Sequence, residues 1–167
     1  HTTIVSKSGL VTITGGKWTT YRTMGKHAVD NAAMAGKLPQ RVCITDTLKI
    51  HGYTENTNGD QDLDIYGSDA EKINQLIKHQ PLLKEKIHPA LPYSKATVVW
   101  AVQNEMAMTV EDVLARRTRA LLLDAAAAIE AASPVAAMMA ELMDKNDSWQ
   151  QQQVSTFTAI AKNYLAH

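Results

Sequence analysis

The chain has 167 residues, 45% of them apolar, which is enough for one compact domain or one domain carrying a fragment of another. Lysine plus arginine and aspartate plus glutamate number 17 each, so no global basic field draws in nucleic acid and net charge names no partner. The single cysteine, Cys43, excludes an internal disulfide framework, fits a reducing compartment and reads as a small buried hydrophobe.

In chain order, the β-branched runs "TTIV" (2–5) and "LVTIT" (10–14) flank a Lys-Ser-Gly turn and predict a hairpin. After a Gly-Gly turn, Tyr21, Met24, Ala28, Val29 and Ala32 fall near helical spacing from Trp18 to about Met34, and Gly36 supplies a stop. Periodicity then fades over 37–67, a connector with one candidate strand at "CITDTLKI" (43–50).

From 68 onward the character is all helical. Ser68 with Glu71 predicts a capping box for a helix over 69–79, and Pro81 opens a short helical turn ending at His88-Pro89. Ser94 caps a helix through Met106, and Thr109 with Asp112 opens another through about Arg116. Asp124 and Ser133-Pro134 start two more. The last helix, over 148–165, sets Val154, Phe157, Ala161 and Tyr164 on one stripe. The expected fold class is therefore mainly α, with a bundle of about six helices over 68–167 preceded by a β-hairpin and a helix within 1–36.

The most apolar region, 121–143, is interrupted by Asp124, Glu130, Pro134 and Glu141, so no uninterrupted apolar run of about 18 residues spans a bilayer, and peripheral attachment stays open. The opening "HTTIV", with neither initiator Met nor signal peptide, reads as a cut from a longer protein.

The densest chemistry lies in "TITGGKWTTYR" (12–22). A Walker loop needs glycine at position 11 and Ser or Thr after the lysine, whereas Val11 and Trp18 stand there. Two glycines still let the backbone approach a ligand closely. A helix starting at Trp18 or Thr19 aims free amides and a partial positive charge at the same spot, and Lys17 adds a full charge. The bland alternative is a tight strand-to-helix turn with a solvated lysine.

Asp60, Asp62, Asp64 and Glu71 match positions of a calcium loop, but Ile65 replaces the bending glycine, so a solvated acidic loop is expected there. His27, His51, His79 and His88 lack zinc spacing and read as surface or capping residues, and no metal site is expected. Arg116, Arg117 and Arg119 read as salt-bridge partners of Glu105, Glu111 or Asp112 rather than a nucleic-acid footprint. No Gly-x-Ser-x-Gly elbow accompanies the histidines, and no residue is assigned a catalytic role.

Two stretches carry a family resemblance. "GLVTITGGKWTTYRTMGKHAVD" resembles the segment that closes the flavin domain of FAD-dependent glycerol-3-phosphate dehydrogenases. "ALPYSKATVVWAVQNEMAMTVEDVLARRTRALLLDAAAAIEAA" (90–132) is similar to that family's helical C-terminal domain, with a Glu-Met pair, a Thr-Val-Glu-Asp turn and an Arg-Arg-Thr-Arg run in order.

The resemblance implies that 1–36 is the end of an FAD and substrate domain, 37–67 a connector and 68–167 the helical domain. It implies FAD as cofactor of the full-length protein, oxidation of sn-glycerol 3-phosphate to dihydroxyacetone phosphate, and quinone as electron acceptor. Gly15, Gly16, Lys17, Trp18, Thr19 and Thr20 would line the flavin's place, with Lys17 on the substrate's phosphate. The family's substrate-binding arginine falls before "HTTIV", and no Gly-x-Gly-x-x-Gly follows a strand here, so the chain alone is expected to bind no FAD tightly and to be inactive. Gly25 and His27 depart from the more acidic, alanine-containing helix of the family. An oxidase passing electrons to oxygen and a stand-alone helical binding module are the alternatives. For the helical part, Trp100, Arg116 and Arg117 are expected to hold the bundle together or dock it on the flavin domain, with homo-oligomer or membrane-edge contacts as further roles. The expected location is cytoplasmic, at the inner face of the cell membrane where it attaches.

Overall fold

The structure, a computed structural model, describes residues 1–55 and 62–165. The chain forms two compact units, His1–Ile50 and His51–His167.

In the first unit, the alternating threonines and β-branched residues pair as predicted. β1 (Thr2–Val5) and β2 (Val11–Thr14) are antiparallel, with Thr2 opposite Thr14 and Val5 opposite Val11. Leu10 belongs to the turn rather than to the strand, its amide donating to Ser6 Oγ at 3.0 Å. A 3-10 turn at Trp18–Thr20 runs directly into α1 (Tyr21–Ala35), which packs on both strands. The helix stops at Ala35 with Gly36 as its cap, as expected, although Gly36 keeps a negative φ of −82°. Lys37 adopts the left-handed conformation (φ +54), while Leu38 N donates to Ala33 O at 2.8 Å and Lys37 N to Met34 O at 3.1 Å, a Schellman closure.

Residues 43–50 form no strand. They turn instead, with the amides of Thr47 and Leu48 donating to Ile44 O at 3.2 and 3.0 Å. The described sheet is the two-stranded hairpin alone, and a β-branched run without a neighbouring strand has no ladder to satisfy its amides. Cys43, expected to be buried, is half-buried and hydrogen-bonded to Thr45 Oγ1 at 3.1 Å. No residue of this unit is buried: Tyr21, Val29, Leu38, Ile44 and Ile50 all stand exposed.

The second unit is helical: α2 (Ala70–His79), α3 (Lys95–Asn104), α4 (Ala120–Leu123), α5 (Ala125–Met143) and α6 (Asp147–Ala161), with 3-10 turns at Asp64–Asp69, Pro81–Lys84 and Lys162–Tyr164 and a π-helical turn at Asp112–Arg117. Asp124 caps α5 by accepting from Ala127 N at 2.9 Å, and Asn146 caps α6 through Trp149 N at 3.0 Å. Thr109 and Asp112 exchange the bonds of a capping box, Thr109 N to Asp112 Oδ2 at 3.0 Å and Asp112 N to Thr109 Oγ1 at 3.1 Å.

Four expectations are corrected. The Ser68–Glu71 capping box does not form, because the 3-10 turn over Asp64–Asp69 makes Asp69 the residue before α2 and sends the Ser68 amide to Gly52 O at 3.0 Å. The turn begun by Pro81 stops at Lys84, since Lys86 bridges antiparallel to Ser94 instead. α3 stops at Asn104 rather than Met106, which takes φ +56, a left-handed conformation that no α-helix continues. Ser133-Pro134 starts no helix: α5 passes straight through Pro134, which lies exposed, while Ala131, Ala132, Val135 and Ala136 on either side are buried. Packing on both sides offsets the lost amide bond, a defect of about 3 kcal/mol in an isolated helix.

The core gathers around α5. Its alanines let α3, α4 and α6 approach closely, and Val98, Leu114, Met139, Phe157 and Ala161 fill the space between them. A second cluster joins Leu63, Tyr66, Ala70, Ile73, Ala96 and Trp100. α5 is the one described helix long and apolar enough to cross a membrane, but its apolar residues form this core. Tyr164, expected on the buried stripe of the last helix, is 53% exposed, because the chain leaves α6 for a 3-10 turn after Ala161.

Candidate functional site

The Gly-Gly-Lys turn takes its shape from two backbone positions that side chains rarely adopt. Gly15 and Gly16 hold φ of +77° and +88°. A Cβ on Gly16 would also run into the Met24 sulfur, so here the chain passes directly over α1. Sequence spacing alone does not reveal Met24 as the floor of the turn.

Beyond the glycines, Lys17 is extended (φ −128°, ψ 160°) and begins the 3-10 turn. Thr20 folds back onto it, its Oγ1 accepting from Lys17 N at 3.0 Å and donating to Lys17 O at 2.9 Å. The amides of Gly16, Trp18 and Thr19 make no hydrogen bond among the described residues. Unused donors and the positive end of the 15-residue α1 thus collect at one place. Lys17 is exposed and makes no ion pair among the described residues. Trp18 is 87% exposed and stacks on Tyr21, ring centroids 6.0 Å apart at 30°. Gly15, Gly16, Lys17, Trp18, Thr19 and Thr20 are therefore brought together. Thr20 braces the turn from inside, whereas the others face outward with free donors or exposed side chains.

Several of the remaining histidines and arginines take structural partners, but Arg119, expected to pair with Glu105, Glu111 or Asp112, makes no ion pair among the described residues. His79 bonds Gln75 O, His88 bonds Glu130, and His27 bonds His1 Nε2 through its Nδ1 at 2.7 Å. Arg116 pairs with Glu111 and Asp112, while Arg117 clasps the Glu105 carbonyl at 2.7 Å and its carboxylate at 3.7 Å. Trp100 is buried at 6% exposure and belongs to the second core cluster. Of the calcium-loop residues, Asp60 lies outside the described residues. Among the described residues no group of three or more metal-ligating side chains gathers.

One polar cluster escaped the sequence reading. Asp69 is nearly buried and accepts from Lys72 Nζ at 2.8 Å and from His51 Nε2. The Lys72 hydrogen bond, followed by that of His51, holds the Asp69 carboxyl below its ordinary value against the cost of burial. His51 precedes its partner by 18 positions across a connector, so no local spacing signals the contact.

Residues 11–153 match the family model of the C-terminal domain of alpha-glycerophosphate oxidase. A probable mitochondrial glycerol-3-phosphate dehydrogenase of Caenorhabditis elegans is 31% identical over 179 residues, covering 92% of this chain and 24% of that protein. The mitochondrial glycerol-3-phosphate dehydrogenase of Mesocricetus auratus is 31% identical over 178 residues, covering 95% and 24%. A probable glycerol-3-phosphate dehydrogenase of Encephalitozoon cuniculi is 34% identical over 141 residues, covering 74% and 23%. The chain thus spans about a quarter of the length of these relatives. Since the matched stretch runs from β2 into the first half of α6 and takes in both the glycine turn and most of the helical unit, the chain belongs to the family of alpha-glycerophosphate oxidase C-terminal domains.

Proposed function

We propose that the chain is the C-terminal region of a flavoenzyme that oxidises sn-glycerol 3-phosphate to dihydroxyacetone phosphate and passes the electrons to quinone. The glycine turn would form one wall of its FAD and substrate site. The observation that carries this reading is the convergence of three unused amides, a helix N-terminus and an unpaired ammonium beside a backbone that comes close for want of side chains.

The residues present fit an electron-rich ring and a phosphorylated alcohol. The amides of Gly16, Trp18 and Thr19 offer donors where negative charge would gather, and Gly15 and Gly16 keep the approach open. When bound, FAD supplies the two-electron acceptor for the hydride leaving C2 of the alcohol. Lys17 contributes a point charge that holds and orients the substrate's phosphate. Thr20 keeps the Lys17 backbone in the conformation from which that side chain projects.

The first unit supports a partner of larger size. With no buried residue of its own, it leaves an apolar groove of about 550 Å³ between α1 and residues 41–50. An upstream FAD-binding domain would cover such surface, and 1–36 would complete that domain, with 37–67 leading to the helical domain of 68–167. The helical part serves as a structural or docking domain, and the enzyme attaches to the inner face of a membrane to reach its quinone.

Purification of the intact protein tests this reading. It should be yellow and reduce a dye when given glycerol 3-phosphate, whereas the 167-residue chain alone should bind no FAD tightly and show no turnover. A colourless intact protein without glycerol-3-phosphate-dependent dye reduction would leave the stand-alone helical binding module. The family description names an oxidase, which favours a second reading with oxygen as acceptor. Substrate-driven oxygen consumption with release of peroxide would decide for it.

A further inference from the structure

The run Arg116-Arg117-Thr118-Arg119 uses its first two guanidinium groups inside the helical unit, Arg116 on Glu111 and Asp112 and Arg117 on Glu105. Arg119 is exposed and makes neither an ion pair nor a side-chain hydrogen bond among the described residues. It also holds φ +58°, a left-handed conformation whose ordinary occupant is glycine. The neighbours keep it there. Thr118, Ala120 and Leu121 are buried on either side, Thr118 Oγ1 donates to Val113 O at 2.8 Å, and Leu122 N donates to Arg119 O at 3.0 Å. A disfavoured backbone conformation thus presents an uncompensated charge to solvent, and such strain gathers where a surface has a use. Asp124, next along the chain from α4, is turned to the start of α5 by Ala127 N at 2.9 Å and does not neutralise the arginine.

α4 turns Ala120 and Leu121 into the core and Leu122 and Leu123, each 64% exposed, outward. Arg119, Leu122 and Leu123 stand at i, i+3 and i+4 and share one face. Met106, 81% exposed and also left-handed (φ +56°), projects from a loop that Arg117 ties to this segment through the Glu105 carbonyl at 2.7 Å. Arginine and methionine beside adjacent leucines match the make-up of an interface rather than that of a solvated face. Relatives identify what covers it: the chain matches a C-terminal domain and spans about a quarter of their length, so most of such a polypeptide lies outside it. We propose that Arg119, Leu122, Leu123 and Met106 dock the helical unit onto the upstream FAD-binding domain of the same polypeptide, against an apolar surface that carries a carboxylate for Arg119. An anionic lipid surface calls for several free cations, whereas Arg116 and Arg117 are already neutralised, so one carboxylate is the better match. The proposal rests on the flavoenzyme reading. It moves the docking role from Trp100, Arg116 and Arg117, whose side chains are used within the unit, to their exposed neighbour.

Hydroxyl-radical footprinting of the intact protein, read by mass spectrometry, tests the face without depending on activity. Corrected for intrinsic side-chain reactivity, protection at Met106, Leu122 and Leu123 should be several-fold higher than at Leu82, which is 73% exposed on the same unit and outside the face. Arg119→Glu should remove most of that protection and leave Leu82 unchanged. Arg119→Gly suits the left-handed backbone, so it should lose the protection while the melting temperature does not fall, a split that unfolding does not produce. Absent protection in the monomeric intact protein, or full protection in the folded Arg119→Gly variant, would overturn the docking face. Protection that appears only as protein concentration rises would assign the face to a second copy, and protection only on adding phosphatidylglycerol vesicles would assign it to lipid; either overturns the proposal. Flavin colour and glycerol-3-phosphate-dependent dye reduction are read on the same sample. A protected face in a colourless, inactive protein keeps a docked upstream domain and sinks the flavin reading, whereas an unprotected face in a yellow, active one sinks the docking alone.

Discussion

Thr20 and Lys17 are locked to each other: one threonine hydroxyl accepts from the Lys17 amide at 3.0 Å and donates to the Lys17 carbonyl at 2.9 Å. This clasp fixes the backbone from which the lysine side chain leaves, while the side chain itself stays unpaired among the described residues. Position and charge are thus set by different residues, and they are separable by mutation.

Lys17→Gln keeps the clasp, which is made by backbone atoms of residue 17, and removes only the charge. On the proposed reading of the intact protein as a glycerol-3-phosphate-oxidising flavoenzyme, this should cost about 2–4 kcal/mol of transition-state stabilisation, or roughly 30- to 1000-fold in kcat/KM for glycerol 3-phosphate. Steady-state kinetics of the purified variant measure it, and a loss below about threefold would remove Lys17 from substrate binding.

Gly67 holds φ +54°, and a Cβ there would strike the Gly52 backbone oxygen, which has no flexible end to swing aside. Gly67→Ala should therefore destabilise the helical unit by about 2 kcal/mol or more. A urea unfolding curve read by far-UV circular dichroism gives the number. An unchanged midpoint would show that the 52–67 approach is not maintained in solution.

Asp69 links stability to pH. Its folded carboxyl lies below the ordinary 3.8, held there chiefly by Lys72 and then by His51, so the unfolded state binds the proton more readily. The contribution is fully present above the ordinary value and disappears as pH falls through the depressed folded value. Because Lys72 and His51 are 59% and 81% exposed, its size is screened to about 1 kcal/mol. Urea midpoints of the native chain and Asp69→Asn should differ at pH 6 and converge as pH falls through the depressed carboxyl value. A constant difference across that range would assign the effect to packing instead.

Pro134 leaves one carbonyl of α5 without its helical amide at an exposed position. Pro134→Ala restores that bond but also loosens the unfolded chain, so the net gain should be about 1 kcal/mol, seen as a higher melting temperature. A fall in melting temperature would mean that the proline ring itself packs usefully.

Local signals were sufficient for much of this molecule. The threonine-rich alternation at 2–5 and 11–14, the side-chain caps at Asp124 and the Thr109–Asp112 box, and the glycine pair at 15–16 all act within a few residues, where backbone geometry and hydrogen-bond supply are decided. The turn that carries the candidate site was legible for the same reason, and so was the helix whose free end points into it. Tertiary structure decided the rest. Pro134 reads as a break until neighbours on both sides bury Ala132 and Val135 and hold α5 through it. Residues 43–50 read as a strand until no partner offers a ladder. Tyr21 and Val29 have helical periodicity yet remain exposed, because periodicity says only that a face is apolar and not what covers it. Asp69 became the keystone of α2 only when the chain returned 18 residues later to His51, a contact that loop closure permits but no short-range pattern encodes.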